Sequence, residues 1–257
     1  MKKEILLIIA THGDEKIGLE IADNLKNISN KFDVLIANPR AMKLKKRFVD
    51  TDLNRSYPGN RFSGRYEERR AYENMKIAKR YEYVIDIHEA GSGTEDFIIV
   101  PRNEIGNIFP VGLIGLEKLL LWPFPQGPLA QFLENSVELE FGMRNRKRKD
   151  VVKKATKIIR DFMLRLKDNL PPDGNKKEYY YVYGKKETKK IKDIEKYIDF
   201  EKTKLGDETF YPLLVGQYLK DEIAFYKMKK IRNCLPNSKN QVRRKIANPQ
   251  VSAVGQL

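Results

Sequence analysis

Cysteine, histidine and tryptophan are scarce in this 257-residue chain, which has one Cys, two His and one Trp. The single cysteine, Cys234, excludes an intrachain disulfide framework and any multi-cysteine metal site. Long apolar runs are missing too. The longest are short stretches such as Ile5–Ala10, far below the ~18 residues of a membrane span. Met1-Lys2-Lys3-Glu4 leads into a run too short for a signal-peptide core followed by a cleavage site. The expectation is a cytoplasmic protein without a membrane partner.

Charge is plentiful, and of one sign. Lys and Arg number 50 against 35 acids, a net charge of +15. Eight of the basic residues, and no acid, fall in residues 227–257. Such a segment can attract polyanions, but the tail has no Tyr, Phe or Trp on which bases would stack. A nucleic-acid partner is therefore disfavoured. Residues 231–257 show no clear periodicity and are expected to be poorly ordered.

Hydrophobic periodicity alternates between two types. Apolar runs at 4–11, 32–37, 83–87, 97–100, 117–122 and 136–141 read as strands, and helical spacing appears over 15–29, 67–80, 150–166 and, weakly, 104–115. Strands alternating with helices predict an α/β fold built on a mainly parallel mixed sheet flanked by helices. Residues 38–64 read as one long irregular stretch, which in a compact domain is usually functional or disordered. Residues 167–175 have the composition of a linker. Beyond them, 179–226 are rich in Tyr, Lys and Ile and alternate like antiparallel strands. The expected division is a catalytic domain over 1–166, a small β-rich C-terminal domain over 176–230, and the basic tail 231–257.

Both histidines follow apolar, strand-like runs, at the strand ends where ligands collect in open α/β sheets. In Thr11-His12-Gly13-Asp14-Glu15, a tight turn would let His12 and Glu15 converge, with Gly13 easing the turn. His88 from a second strand completes a His₂Glu set, and three protein ligands with an open fourth position is the arrangement of a catalytic zinc. Asp86, two residues before His88, shares its strand face and is placed to orient the imidazole. Two hydrogen-bonded strand-end histidines without a metal remain the alternative on these residues alone. The stretch 38–64 carries Asn38-Pro39-Arg40-Ala41, Arg47 and Asp52-Leu53-Asn54-Arg55. Arg offers a fork for carboxylates and Asn adds directional contacts; a solvated basic loop is the other reading. In Val137-Glu138-Leu139-Glu140-Phe141-Gly142, both glutamates face one side of a strand. Glu140, nearer the strand end, is the better placed general base.

Taken together, these motifs resemble the succinylglutamate desuccinylase/aspartoacylase family, a branch of the zinc carboxypeptidase-like fold. The resemblance runs through Thr11–Glu15, Asn38–Ala41, Asp52–Arg55, Asp86-Ile87-His88 and Glu140-Phe141-Gly142. It covers residues 4–166 and extends more weakly over 179–226 through Phe210-Tyr211-Pro212 and Ala224-Phe225-Tyr226. It implies one zinc per chain held by His12, Glu15 and His88, with Glu140 as general base and proton shuttle. It implies that Arg47 polarises the scissile carbonyl, that Asn54 and Arg55 hold the substrate's carboxylate side, and that Tyr226 reaches the site from the C-terminal strands. Two positions depart from the pattern. Family members that cleave N-acetylaspartate carry an arginine shortly before the catalytic glutamate, where this chain has Ala130. After the third ligand comes Glu89, an acid where a polar neutral residue is more usual, which suits a basic substrate or a plain surface.

The expected function is hydrolysis of the amide bond of an N-acylated amino acid, a small-molecule substrate, by a zinc-dependent deacylase. A zinc carboxypeptidase acting on peptides is the alternative within the same fold, and a basic nucleic-acid-binding protein is the alternative outside it.

Overall fold

The strand Ile5–Ile9, β1, is apolar and buried at every position, as a strand covered on both faces must be. Its side chains alternate between two cores. Ile5, Leu7 and Ile9 join one cluster, and Leu6 and Ile8 join another. The first cluster is completed by the helices α1 (Ile17–Lys26) and α4 (Arg148–Lys167), and the second by α3 (Tyr66–Ala78). The sheet is thus sandwiched between helices. A computed structural model describes residues 4–26, 32–101, 109–123, 127–171 and 176–231. No described helix is long and apolar enough to cross a membrane.

The remaining strands are β2 (Phe32–Ile36), β3 (Tyr83–Ala90), β4 (Phe97–Pro101), β5 (Lys118–Trp122), β6 (Ser136–Gly142), β7 (Glu178–Glu187), β8 (Thr203–Leu205), β9 (Glu208–Leu213) and β10 (Ile223–Ile231). Their order in the sheet is β2-β1-β3-β6-β4-β5-β7-β10-β9-β8. β2, β1, β3 and β6 are parallel neighbours, so the C-terminal ends of β1, β3 and β6 lie side by side. β4 pairs antiparallel with β6 and parallel with β5, which makes the sheet mixed.

The C-terminal strands continue this sheet, because β7 runs parallel to β5 from Lys118↔Glu178 to Leu121↔Tyr181. Antiparallel pairing then links β7, β10, β9 and β8. The tyrosines of β7 are structural: Tyr180 is buried, and Tyr179 and Tyr181 pack on the core against α4. Residues 232–257, which hold nearly all of the expected basic tail, lie outside the described residues.

Two local expectations are revised. Of the weak helix at 104–115, residues 104–108 lie outside the described residues, and 109–115 hold only the short 3₁₀ turn Val111–Leu113. The stretch 38–64 is not irregular throughout. It contains α2 (Pro39–Leu44) and a 3₁₀ turn at Leu53–Arg55. Asn38 caps α2 by accepting from the Ala41 amide, and Pro39 occupies the first turn, where a missing N–H costs nothing. Asp52 caps the second turn through the Asn54 amide. Glu67, fully buried at the start of α3, accepts from the amides of Val49, Asp50 and Thr51 and from Asn38 Nδ2. These bonds tie Asn38 and residues 49–51 to the start of α3.

Candidate metal centre

The chain leaves β1 through Ala10, whose φ of 52° turns the backbone sharply. Gly13 then passes against α2, where a Cβ would lie 2.1 Å from the Ala41 carbonyl carbon and 2.2 Å from the Met42 nitrogen. Its φ is not positive, so close approach rather than turn geometry requires glycine there. The Gly13 amide donates to Arg47 O, and the Glu15 amide donates to His12 O, closing the turn. His12 and Glu15 converge as expected, with His12 Nδ1 and Glu15 Oε1 2.5 Å apart. His88 arrives from the end of β3, its ring centroid 5.1 Å from that of His12, with Nδ1 3.3 Å from Glu15 Oε2.

The candidate ligand atoms of His12, Glu15 and His88 lie within 4.8 Å of one another. Neither buried nitrogen of His88 has a hydrogen-bond partner. Its nitrogens have only the Glu15 and Asp86 carboxylates nearby, each at 3.3 Å, and a buried imidazole without well-aligned hydrogen bonds is costly unless something else binds it. Two imidazoles and one carboxylate are the donor set that a zinc ion takes, so the residues present fit such a group. Asp86, His88 and Glu138 form a second grouping of the same kind, sharing His88. That set is wholly buried, whereas Glu15 of the first keeps partial exposure. Asp86 is also engaged already: Thr11 Oγ1 donates to both its oxygens, at 3.0 and 3.2 Å. With Asp86 Oδ2 3.3 Å from His88 Nε2, it suits a partner that turns the other ring nitrogen toward Glu15.

Glu140 stands directly across from His88 in the β3–β6 register, and Glu138 stands across from Asp86. Val137, Leu139 and Phe141 enter the core on the opposite face, the alternation expected of this strand. Burial pushes Glu138 up to about 8, against the pull of His88 and with the help of Glu140. Glu140 is likewise raised, burial again being the main cause. Like charges this close favour one shared proton between the two carboxyls. Burial opposes charge on His12, but Glu15 and Asp52 outweigh it and raise His12 to about 9. Glu15 is held well below the usual carboxylate range because His12 and His88 overcome its desolvation.

Arg47 donates from Nε and Nη2 to Asp52 Oδ2, at 3.3 and 3.1 Å, while Asp52 Oδ1 lies 3.3 Å from His12 Nε2. Asp52 therefore links the arginine to the first histidine. The sequence placed Asp52 in a substrate-binding motif without this link. Asn54 is buried with its Oδ1 unpartnered, and Arg55 donates to the Asn54 carbonyl. Tyr226, on β10, packs against Trp122 and Tyr218, with ring centroids at 5.0 and 5.9 Å. Arg47 lies over the Tyr218 ring at 5.8 Å. Tyr218 was missed, because nothing in its local sequence marks it. The structure thus gathers His12, Glu15, His88 and Glu140 at the strand ends, and it carries Arg47 and Arg55 to their rim by way of Asp52, Tyr218 and Tyr226. Ala130 is buried in the turn Leu129–Phe132 and brings no charge. Glu89 turns to the opposite face and pairs with Arg148 at 3.1 Å.

The family profile described as "Succinylglutamate desuccinylase/Aspartoacylase catalytic domain" matches residues 1–166. The chain is 27% identical over 118 residues to an N-acyl-aromatic-L-amino acid amidohydrolase (carboxylate-forming) of Xenopus laevis, covering 39% of each chain. It is 33% identical over 119 residues to a succinylglutamate desuccinylase of Pseudomonas syringae pv. tomato, covering 39% of this chain and 36% of that one. These alignments span well under half of either relative's length. Among solved structures, the succinylglutamate desuccinylase of Chromobacterium violaceum superposes with a TM-score of 0.73 at 17% identity, over 91% of this chain and 86% of that one. At that identity the likeness is one of fold.

Proposed function

The chain belongs to the succinylglutamate desuccinylase/aspartoacylase family, and on that premise we propose that it is a zinc-dependent deacylase cleaving the amide bond of a small N-acylated amino acid. The observation that carries this reading is the His12–Glu15–His88 cluster with Glu140 in register beside His88. The relatives named as an N-acyl-aromatic-amino-acid amidohydrolase and a succinylglutamate desuccinylase support the substrate class. One zinc ion, held by His12, Glu15 and His88, would supply Lewis acidity toward water and the scissile carbonyl.

The chain's own groups supply the rest. Glu140, its carboxyl raised by burial, accepts a proton from the attacking water and returns it to the leaving amine nitrogen. Arg47, oriented by Asp52, offsets the charge that develops on the carbonyl oxygen. Asn54 and Arg55 bind the carboxylate of the amino acid through their N–H donors. Tyr226 closes the site from the C-terminal strands. Ala130 leaves that position without a cation for a second carboxylate, so N-acetylaspartate is a poor substrate in this account.

The test is amine release by the zinc-loaded protein from a panel of N-acyl amino acids, with blocked dipeptides and free peptides alongside. Turnover of one or more N-acyl amino acids supports the reading. Release of C-terminal residues from peptides alone, or no hydrolysis of any compound, refutes it.

A further inference from the structure

The two chain segments that carry the candidate ligands are fastened to each other from behind. Glu89 immediately follows His88 on β3, so its side chain emerges on the other face of the sheet, beside α1 and α4. Its backbone amide donates to Glu15 Oε2 at 3.3 Å. Its own carboxylate accepts from the amides of Lys16 and Ile17, at 3.1 and 3.3 Å, where the chain enters α1. Each segment therefore holds the other: Glu15 is bonded by the backbone of β3, and the backbone that follows Glu15 is bonded by the next side chain of β3. Arg148, at the start of α4, completes the clasp. Its Nη1 reaches Glu89 Oε2 at 3.3 Å and its Nη2 reaches Oε1 at 3.1 Å, a fork on both oxygens.

We infer that Glu89 is a positioning residue for the metal centre: it clasps the His12–Ile17 turn to the end of β3, and Arg148 fixes the clasp. The inference rests on the reading of His12, Glu15 and His88 as metal ligands. The physical argument is one of tolerance. A ligand set is useful only when its donor atoms are held within about 0.5 Å of their bonding positions. Glu15 lies on a turn rather than on a strand, and its chain would otherwise be anchored chiefly by the Glu15 amide bond to His12 O and the Gly13 amide bond to Arg47 O. Unpaired, the first amides of α1 would also draw the turn toward water. The carboxylate of Glu89 satisfies two of them, complements the helix dipole, and sets the distance between the segments.

The test compares Glu89→Ala, Glu89→Gln and Arg148→Met with a control, Asp96→Asn. Asp96 is a carboxylate, buried more deeply than Glu89, that binds Arg146, Lys154 and the Gly142 amide and touches no candidate ligand segment. Zinc affinity is measured by competition with a chromophoric chelator, and the unfolding temperature of each metal-free protein is recorded in parallel. Glu89→Ala is expected to weaken zinc binding about 10–100-fold, the usual effect of losing a group that orients ligands. Glu89→Gln retains one acceptor oxygen and should recover much of that loss, and Arg148→Met should fall between it and the wild type. Asp96→Asn should lower the unfolding temperature with affinity unchanged. The inference is overturned if Glu89→Ala binds zinc like the wild type, or if Asp96→Asn loses affinity to the same extent. Absence of zinc binding in the wild type would instead refute the underlying metal site.

Discussion

Gly13→Ala isolates the close approach on which the first two ligands depend. The added Cβ would sit 2.1 Å from Ala41 C, 2.2 Å from Met42 N and 2.5 Å from Ala41 O. All three atoms are backbone, and α2 is held by the Asn38 cap and by Glu67, so no side chain can swing aside. Relief of the contact requires the His12–Glu15 turn and α2 to separate by about 1 Å or more, since carbon contacts settle near ~3.5 Å. Overpacking of this kind costs about 1–3 kcal/mol, and the rigid partners place it toward the upper end. For a chain of this size that is an unfolding temperature lower by roughly 6–12 °C. The same displacement exceeds what a ligand set tolerates, so zinc affinity should fall by at least about tenfold. Gly64 provides the control, because a Cβ there meets nothing within 4 Å, and Gly64→Ala should change neither quantity. Calorimetry and chelator competition on the two variants give the answer. Wild-type affinity in Gly13→Ala would refute the argument that this approach positions His12 and Glu15.

Glu140→Gln should lower turnover by about 10²–10⁴-fold with zinc content unchanged, and Glu138→Gln should do less; the reverse order in steady-state assays would assign the base to Glu138. The metal-free protein should lose stability as pH rises. His12 is raised above its ordinary 6.5 to about 9, so its contribution is complete below pH 6.5 and is lost through pH 9, on the order of 3 kcal/mol. The raised carboxyl of Glu138 acts in the same direction. Urea midpoints of chelator-treated protein at pH 6.5 and 9 measure this, and a midpoint that rises with pH would contradict it. Zinc binding must displace the His12 proton, so affinity should weaken as pH falls below 9, with proton release visible as a buffer-dependent binding enthalpy.

Much of the site was legible because it is written on strands. The alternation around Glu138 and Glu140 and the spacing of Asp86 and His88 fix which side chains share a face whatever the neighbours are. The turn at Gly13 was legible as a turn, though its physical reason is the backbone of α2 rather than the turn itself. What escaped depends on partners distant in sequence. Glu67 organises residues 49–51 from across α3, and nothing local distinguishes it from the other charges of that helix. Asn38-Pro39 did carry the signature of a capped helix, and it was masked by the irregular stretch around it. Strand order is a long-range property: the antiparallel insertion of β4 beside β6, and the pairing of β7 onto β5, leave no mark in the strands themselves. Glu89 drew notice only as an unusual neighbour of His88. Its function as a clasp needs Lys16, Ile17 and Arg148, brought together by the packing of α1 on α4.

The central claim is a metal held by His12, Glu15 and His88, and elemental analysis of the wild type beside His88→Ala tests it most directly. Both proteins are purified, exposed to zinc and passed through a desalting step, and folding of the variant is verified by circular dichroism. The account predicts close to one zinc per chain in the wild type and almost none in folded His88→Ala. Equal zinc in the two proteins, or none in the wild type, would contradict it.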